Sequence, residues 1–191
     1  MHSRRDVLAA GLLLPLAPRP GRANEDDTAR LLREGGVVIA LRHALAPGTF
    51  DPPGFTLGDC STQRNLSDEG RAQARRIGQW FQARGLQPAV VRSSPWCRCV
   101  DTAQLAFGRA EAWPALGSPR GSPERTNASH LQQLREALAT ASTRRGRFEV
   151  WVTHMFVLSD LTGQTSSSGE GLVLRADPAG AVEVLARLAP P

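Results

Sequence analysis

The side chains in this chain that could do chemistry stand where three predicted strands stop. Arg42-His43 follows Gly36–Leu41, Arg92-Ser93-Ser94 follows Ala89-Val90-Val91, and Thr153-His154 follows Phe148–Val152. Gly36–Leu41, an apolar run of strand length rich in β-branched residues, reads as a strand buried on both faces. In open α/β sheets ligands sit at the carboxyl ends of such strands. The second run hands over at Pro95 to a predicted helix whose first turn carries Arg98. Proline is well placed there, and a helix start presents free N–H groups and a positive dipole end to an anion. Two histidines, Arg42, Arg98 and a helix start together describe a pocket for a dianion such as phosphate. A neutral imidazole in line with phosphorus can attack it, while guanidinium forks stabilise the equatorial oxygens of the transition state. One histidine is then the nucleophile and the other a hydrogen-bond donor. No clustered carboxylates and no His-x-x-x-His set suggest a metal, so neither a metal nor another cofactor is expected.

Three strand ends can meet only if the strands are parallel and joined by helices, and the intervening pattern fits that requirement. Glu25–Arg33 reads as a short helix closed by Gly35-Gly36. Ala44–Arg64 is too rich in Pro and Gly for an element, and a loop of that length leaving Arg42-His43 directly is expected to be functional. Ser67 caps a predicted helix over Asp68–Gly85, with Ala74, Ile77 and Phe81 on its apolar face. A third short strand is expected within Glu111–Leu116, a loop over Gly117–Thr126 and a helix over Asn127–Ala141. A short helical segment and the Ser-rich loop Thr165–Gly169 follow Thr153-His154. Gly171–Arg175 and Ala181–Leu188 flank the turn Asp177-Pro178-Ala179-Gly180, which makes them an antiparallel edge. The sequence therefore predicts one α/β domain over residues 24–191, with a mostly parallel sheet and an antiparallel edge.

The 191 residues include 23 basic side chains, every one an arginine. Ser3-Arg4-Arg5-Asp6-Val7-Leu8, the apolar run Val7–Leu16 and a small-residue exit near Ala23 resemble a twin-arginine export signal over residues 1–23. Without that segment 19 basic and 17 acidic residues remain, a net charge of +2 that argues against a nucleic-acid partner. The apolar run is too short to span a bilayer, so no stable membrane anchor is expected, and the protein is read as exported, to the periplasm in a bacterium. Cys60, Cys97 and Cys99 would then sit in an oxidising compartment. Cys97 and Cys99 point to different faces of their helix, which leaves Cys60–Cys97 or Cys60–Cys99 as the bridge pinning the long loop, or three buried thiols. His130 among Leu131, Leu134 and Leu138 reads as a packing or surface residue, and Trp96 as packed or as a wall of the pocket.

Four spaced motifs arrive in order: Leu41-Arg42-His43-Ala44, Asn65-Leu66-Ser67-x-x-Gly70, Ser93-Ser94-Pro95-x-x-Arg98-x-x-x-Thr102-Ala103, and Val152-Thr153-His154. Together they resemble the histidine phosphatase superfamily, the phosphoglycerate-mutase-like fold, from Val37 to about Leu174. The resemblance implies a three-layer αβα sandwich. It implies further that His43 is the phosphorylated nucleophile and that Arg42, Arg98 and His154 hold the phosphoryl group. Arg64 stands where some short members carry a further substrate-binding arginine. Many members place a Glu or Asp between the second arginine and the second histidine to protonate the leaving oxygen. Glu124 is the carboxylate on the corresponding loop here, with Glu170 able to approach from another.

These readings lead to a metal-independent phosphatase acting on a small phosphomonoester or phosphohistidine. An envelope sugar phosphate is the substrate suggested by export. A non-catalytic phosphate-binding module and a phosphomutase are the alternatives, and nothing in the sequence sets an oligomeric state.

Overall fold

A computed structural model of the protein describes residues 20–119 and 124–190. Residues 1–19, most of the segment expected to direct export, lie outside the described residues. The chain runs α1 (Pro20–Glu34), β1 (Val37–Arg42), α2 (Asp68–Ala83), β2 (Val90–Ser93), α3 (Cys97–Phe107), β3 (Glu111–Ala112), α4 (Glu124–Ser142), β4 (Phe148–Thr153), α5 (Met155–Thr162), β5 (Gly171–Ala176) and β6 (Val182–Leu188). The six strands form one sheet in the order β3-β2-β4-β1-β5-β6. β1 and β2 both pair parallel with the central β4, and β3 pairs parallel with β2. β5 and β6 close the other side as antiparallel strands.

β1 shows why this sequence makes a central strand. Val37, Ile39 and Leu41 face one side and pack with Ala29 and Leu32 of α1, Ile77 and Phe81 of α2, and Ala103 of α3. Val38 and Ala40 face the other side, toward Leu134 and Leu138 of α4 and Leu158 and Leu161 of α5. A strand buried on both faces has no use for polar residues until it leaves the sheet, so an unbroken apolar run ending in Arg-His is what such a position selects. The result is three layers, with α1–α3 on one face of the sheet and α4–α5 on the other.

Two glycines set close approaches. A Cβ on Gly70, in the first turn of α2, would stand 1.9 Å from the Leu45 carbonyl oxygen, and one on Gly78 would stand 2.3 Å from the Ala106 carbonyl oxygen of α3. Glycine at these positions lets α2 press its start onto the chain leaving His43 and its middle onto α3. Ser67 caps α2 by accepting from the Gly70 N–H, as its place before Asp68 predicts.

The helix expected over Glu25–Arg33 starts five residues earlier, at Pro20, within the expected export segment. The strand expected within Glu111–Leu116 is only Glu111–Ala112, because Pro114 cannot donate to a ladder and opens a 3-10 turn over Pro114–Leu116 instead. The helix expected from Asn127 begins at Glu124, which moves Glu124 out of the loop and into the first turn of α4. An acidic side chain is favourable there against the helix dipole.

Candidate active site

The carboxyl ends of β1, β2 and β4 open onto one cavity of about 310 Å³. Its walls include Arg42 and His43 from the end of β1, Arg98 from the first turn of α3, His154 after β4, and Met155 and Phe156 from α5. The long loop adds Gly48, Thr49, Phe50, Asp51, Phe55 and Arg64. The structure thus brings together Arg42, His43, Arg64, Arg98 and His154, with Trp96 as a wall. Every one of them sits at a strand end, a helix start or the loop between, and the parallel sheet is what gathers them.

His43 is held by its own backbone surroundings. Its N–H donates to the Thr153 carbonyl at 2.9 Å, continuing the β1–β4 ladder one residue past the strand. Its Nδ1 lies 2.8 Å from the Ala44 carbonyl, a pure acceptor, so Nδ1 carries the proton and donates it. That leaves the lone pair on Nε2, the nitrogen a nucleophilic imidazole needs. His43 is 2% exposed. Burial pushes its pKa down to about 3, against the Ala44 hydrogen bond, and the charges of Arg98, Arg64 and Arg42 push the same way as burial. The imidazole is therefore neutral, as attack on phosphorus requires.

His154 lies edge to face with His43, ring centroids 5.6 Å apart. Its Nε2 is 2.7 Å from the Ser94 hydroxyl, which also accepts from the Trp96 N–H at 3.3 Å. Its Nδ1 lies 3.4 Å from Arg98 Nη2, a pure donor, so Nδ1 accepts from Arg98 and Nε2–H donates to the Ser94 hydroxyl. Burial, then His43 and the arginines, hold the His154 pKa well below its ordinary value. Trp96 packs edge to face on His154 at 5.2 Å.

Three guanidinium groups surround the two rings. Arg42 donates from Nη1 to the Ser166 carbonyl at 2.7 Å. Arg64 donates to the Ala46 carbonyl. Arg98, 3% exposed, donates from Nη1 to Asp51 Oδ1 at 2.8 Å. The Nε of each of the three is buried without a hydrogen-bond partner, an unspent set of donors around one cavity. Thr102 ties α3 to the nucleophile's strand, accepting from the Ala44 N–H at 3.0 Å and donating to the Arg98 carbonyl at 2.7 Å. Three cations, one of them braced by His154, and a neutral imidazole with a free lone pair can bind a phosphoryl dianion, displace its ester oxygen and stabilise the charge that moves. Among the described residues no three His, Cys, Asp or Glu side chains cluster as metal ligands.

Neither carboxylate expected as the acid reaches this cavity. Glu124 is exposed on the first turn of α4 and is absent from the cavity wall. Glu170 turns away, accepting from Arg187 Nη1 at 2.6 Å and from the Ser167 N–H at 2.7 Å. Its contribution to the site is through the main chain, where its carbonyl accepts the Arg42 N–H at 2.9 Å. The carboxylate that does line the cavity is Asp51, which the sequence reading passed over. Asp51 Oδ1 accepts from the Arg64 N–H at 3.0 Å and from Arg98, and Oδ2 accepts from Trp96 Nε1 at 3.2 Å. Burial alone would raise its pKa, yet the Arg64 N–H and Arg98 outweigh burial and hold it below the usual carboxylate range. The available signal was its place in the loop that leaves His43, where Asp51 and Asp59 are the two acidic residues.

The loop is fastened at its far end. Cys60 and Cys97 form a disulfide, and Cys99 is a buried free thiol. Of the bridges the spacing left open, the one made joins the loop to the first residue of α3, next to Arg98. Gln63 reinforces it by accepting from the Cys97 N–H at 3.0 Å. The two cysteines are 37 residues apart, and closing a loop of that size restricts the unfolded chain by about 4 kcal/mol in the chain-entropy model. The Cys60→Ser/Cys97→Ser variant is expected to lose stability of that order, read as a lower denaturant midpoint, with added reductant lowering only the parent's midpoint.

The two depressed histidines also set a pH dependence. In the unfolded chain a histidine takes up its proton near pH 6.5, whereas His43 in the folded protein does so near 3 and His154 well below 6.5. Between these values the unfolded state binds more protons, so stability is complete above about pH 6.5 and falls as the pH drops. Asp51, also depressed, adds to the loss at lower pH, as it too is protonated more readily when unfolded. His43 should cost about 2 kcal/mol between pH 7 and pH 5, and His154 adds to the loss in the same direction. Thermal melting across that interval should show a clear fall in Tm, made shallower by His43→Ala; a flat profile would contradict the assignment of neutral rings.

Residues 56–120, spanning the loop's second half, α2, β2 and α3, match the family model described as histidine phosphatase superfamily (branch 1). No curated protein matches the chain. Among solved structures, the chain is similar to the native structure of the mycobacterial glucosyl-3-phosphoglycerate phosphatase at 15% identity, covering 80% of this chain and 98% of that one with a TM-score of 0.55. It is similar to the alpha-ribazole phosphatase of Shigella flexneri at 12% identity, covering 78% and 95% with a TM-score of 0.54. The protein histidine phosphatase SixA, solved in complex with tungstate, is 18% identical over 81% of this chain and 97% of that one, with a TM-score of 0.50. At these identities the likeness establishes the fold.

Proposed function

We propose that this chain, whose residues 56–120 match the histidine phosphatase superfamily model, is a member of that superfamily and hydrolyses a small phosphomonoester through a phosphohistidine on His43. The observation that carries the reading is the tautomer of His43. A buried, neutral imidazole with Nδ1–H fixed on the Ala44 carbonyl and Nε2 free, inside a ring of three arginines, is arranged to attack rather than merely to bind. Attack by Nε2 forms the N–P bond as the ester oxygen departs on the opposite side. Arg42, Arg64 and Arg98 take the equatorial oxygens, and His154, its ring oriented by Ser94, holds Arg98 in place by accepting from its Nη2 at Nδ1. Water then attacks the phosphohistidine and releases phosphate.

The same reading extends to location and substrate. The Ser3–Leu8 motif supports export, and a Cys60–Cys97 disulfide fits an oxidising compartment. A cavity of about 310 Å³ suits a small ligand, and Phe50, Phe55, Trp96 and Phe156 offer apolar faces against which a sugar ring can pack. An envelope sugar phosphate is accordingly the substrate class we favour over phosphohistidine on a protein.

Hydrolysis of 4-nitrophenyl phosphate by residues 24–191, with and without a chelator, tests the activity. Turnover that resists the chelator is expected. A folded protein that binds vanadate and shows no turnover would instead be a phosphate-binding module, and return of the phosphoryl group to a second hydroxyl compound rather than to water would make it a mutase.

A further inference from the structure

Resting on the phosphatase reading, we propose that Asp51 is the carboxyl group that protonates the departing ester oxygen, supplied by the loop that walls the cavity. The need for such a group is chemical. An alkoxide expelled from phosphorus is a strong base and leaves slowly unless a proton reaches it in the transition state. In-line displacement puts that oxygen on the side of phosphorus away from His43 Nε2, so the proton must come from an element other than β1. The loop after β1 supplies Gly48, Thr49, Phe50, Asp51, Phe55 and Arg64 to the cavity wall, and among the described residues Asp51 is the one carboxylic acid lining it. It is also fixed in place: Arg98 and the Arg64 N–H hold Oδ1, and Trp96 Nε1 holds Oδ2 at a longer 3.2 Å.

Paired with Arg98, Asp51 is ionised and serves as its counter-ion. Entry of a phosphate ester changes both sides of that pair. The phosphoryl oxygens compete for the Arg98 donors, and their negative charge beside Asp51 favours its protonated form. An ester bound as the monoanion carries the proton required, and its transfer to Asp51 leaves a dianion among three arginines. As the Nε2–P bond forms and the ester P–O bond breaks, the bonding pair goes to the ester oxygen and the Asp51 proton follows it. The alcohol departs and Asp51 is again a carboxylate. In the second step water attacks phosphorus and gives up a proton to Asp51, and the N–P pair returns to the imidazole. Phosphate leaves as the monoanion, taking that proton with it.

Two substrates of similar shape separate this role from a purely electrostatic one. Benzyl phosphate releases a strongly basic alkoxide, whereas 4-nitrophenyl phosphate releases a weakly basic phenolate that needs little help. Asp51→Asn should lower kcat for benzyl phosphate by about 10²- to 10³-fold and for 4-nitrophenyl phosphate by less than about tenfold. Asp51→Glu keeps the charge beside Arg98 and serves if the first variant fails to fold. Its displaced carboxyl should cost benzyl phosphate turnover several-fold more than 4-nitrophenyl phosphate turnover. An equal loss on both substrates in either variant, or no loss on either, would overturn the assignment while leaving the phosphatase reading intact. A parent protein inactive on both substrates would instead refute the phosphatase reading and this proposal with it.

Discussion

His43→Ala is expected to abolish phosphatase turnover, by at least about 10⁴-fold on 4-nitrophenyl phosphate, while the protein stays folded and still binds vanadate or tungstate. Turnover depends on the lone pair of one nitrogen, and no neighbouring group can supply it. His154 is the other imidazole in the cavity, but its Nε2 is committed to Ser94 at 2.7 Å. Cys99 is no substitute, because burial raises its thiol to about 12 and keeps it protonated. The anion-binding groups survive the change, since Arg42, Arg64 and Arg98 belong to other positions with their own anchors. Binding without turnover in this variant would separate the two functions of the pocket. Residual activity near the parent's level would mean that phosphorus is attacked by something other than His43.

Arg98→Met is expected to be costly twice over. Loss of one transition-state cation from a preorganised site lowers kcat by about 10²- to 10³-fold. It also strips the buried Asp51 carboxylate of its charged partner, leaving the Arg64 N–H and Trp96 Nε1 as its remaining donors. Breaking a buried pair on one side costs about 3–5 kcal/mol. Arg98→Met/Asp51→Asn should recover part of that stability, because the orphaned charge is gone, and recover none of the turnover. Equal denaturant midpoints for the single and double variants would show that Asp51 and Arg98 are not energetically coupled.

The residues proposed to carry this chemistry were legible because each obeys a local rule. Arg42-His43 follows an unbroken apolar strand, Thr153-His154 follows a strand interrupted only by Glu149, Arg98 follows a proline-initiated helix start, and the parallel topology that unites them follows from strand and helix alternation. The antiparallel edge was legible from the Asp177–Gly180 turn, and the capped start of α2 from Ser67. What failed to show was whatever depends on contacts distant in sequence. Asp51 owes its place to Arg98 and Trp96, 47 and 45 residues away, and no period or spacing in a Pro- and Gly-rich loop announces such a pairing. Glu124 looked available because the sequence before it is rich in Gly and Pro, yet α4 begins at Glu124 itself. Glu170 looked available because Gly169 and Gly171 flank it, but its partner Arg187 lies on β6, and nothing local to Glu170 reveals that the antiparallel edge brings the two together. The choice of Cys97 over Cys99 likewise turns on which face of α3 meets the loop.

The measurement that tests the account most directly is identification of the phosphorylated atom. Rapid mixing of the protein with excess 4-nitrophenyl phosphate, followed by denaturing quench at alkaline pH and peptide mass analysis, would preserve an acid-labile, base-stable phosphohistidine. The account predicts one added phosphoryl group on the peptide containing His43, absent from His43→Ala and lost on mild acid treatment. A phosphoryl group on His154 or on a hydroxyl side chain, or steady turnover with no phosphoenzyme at any quench time in a protein showing a burst of nitrophenolate, would contradict it.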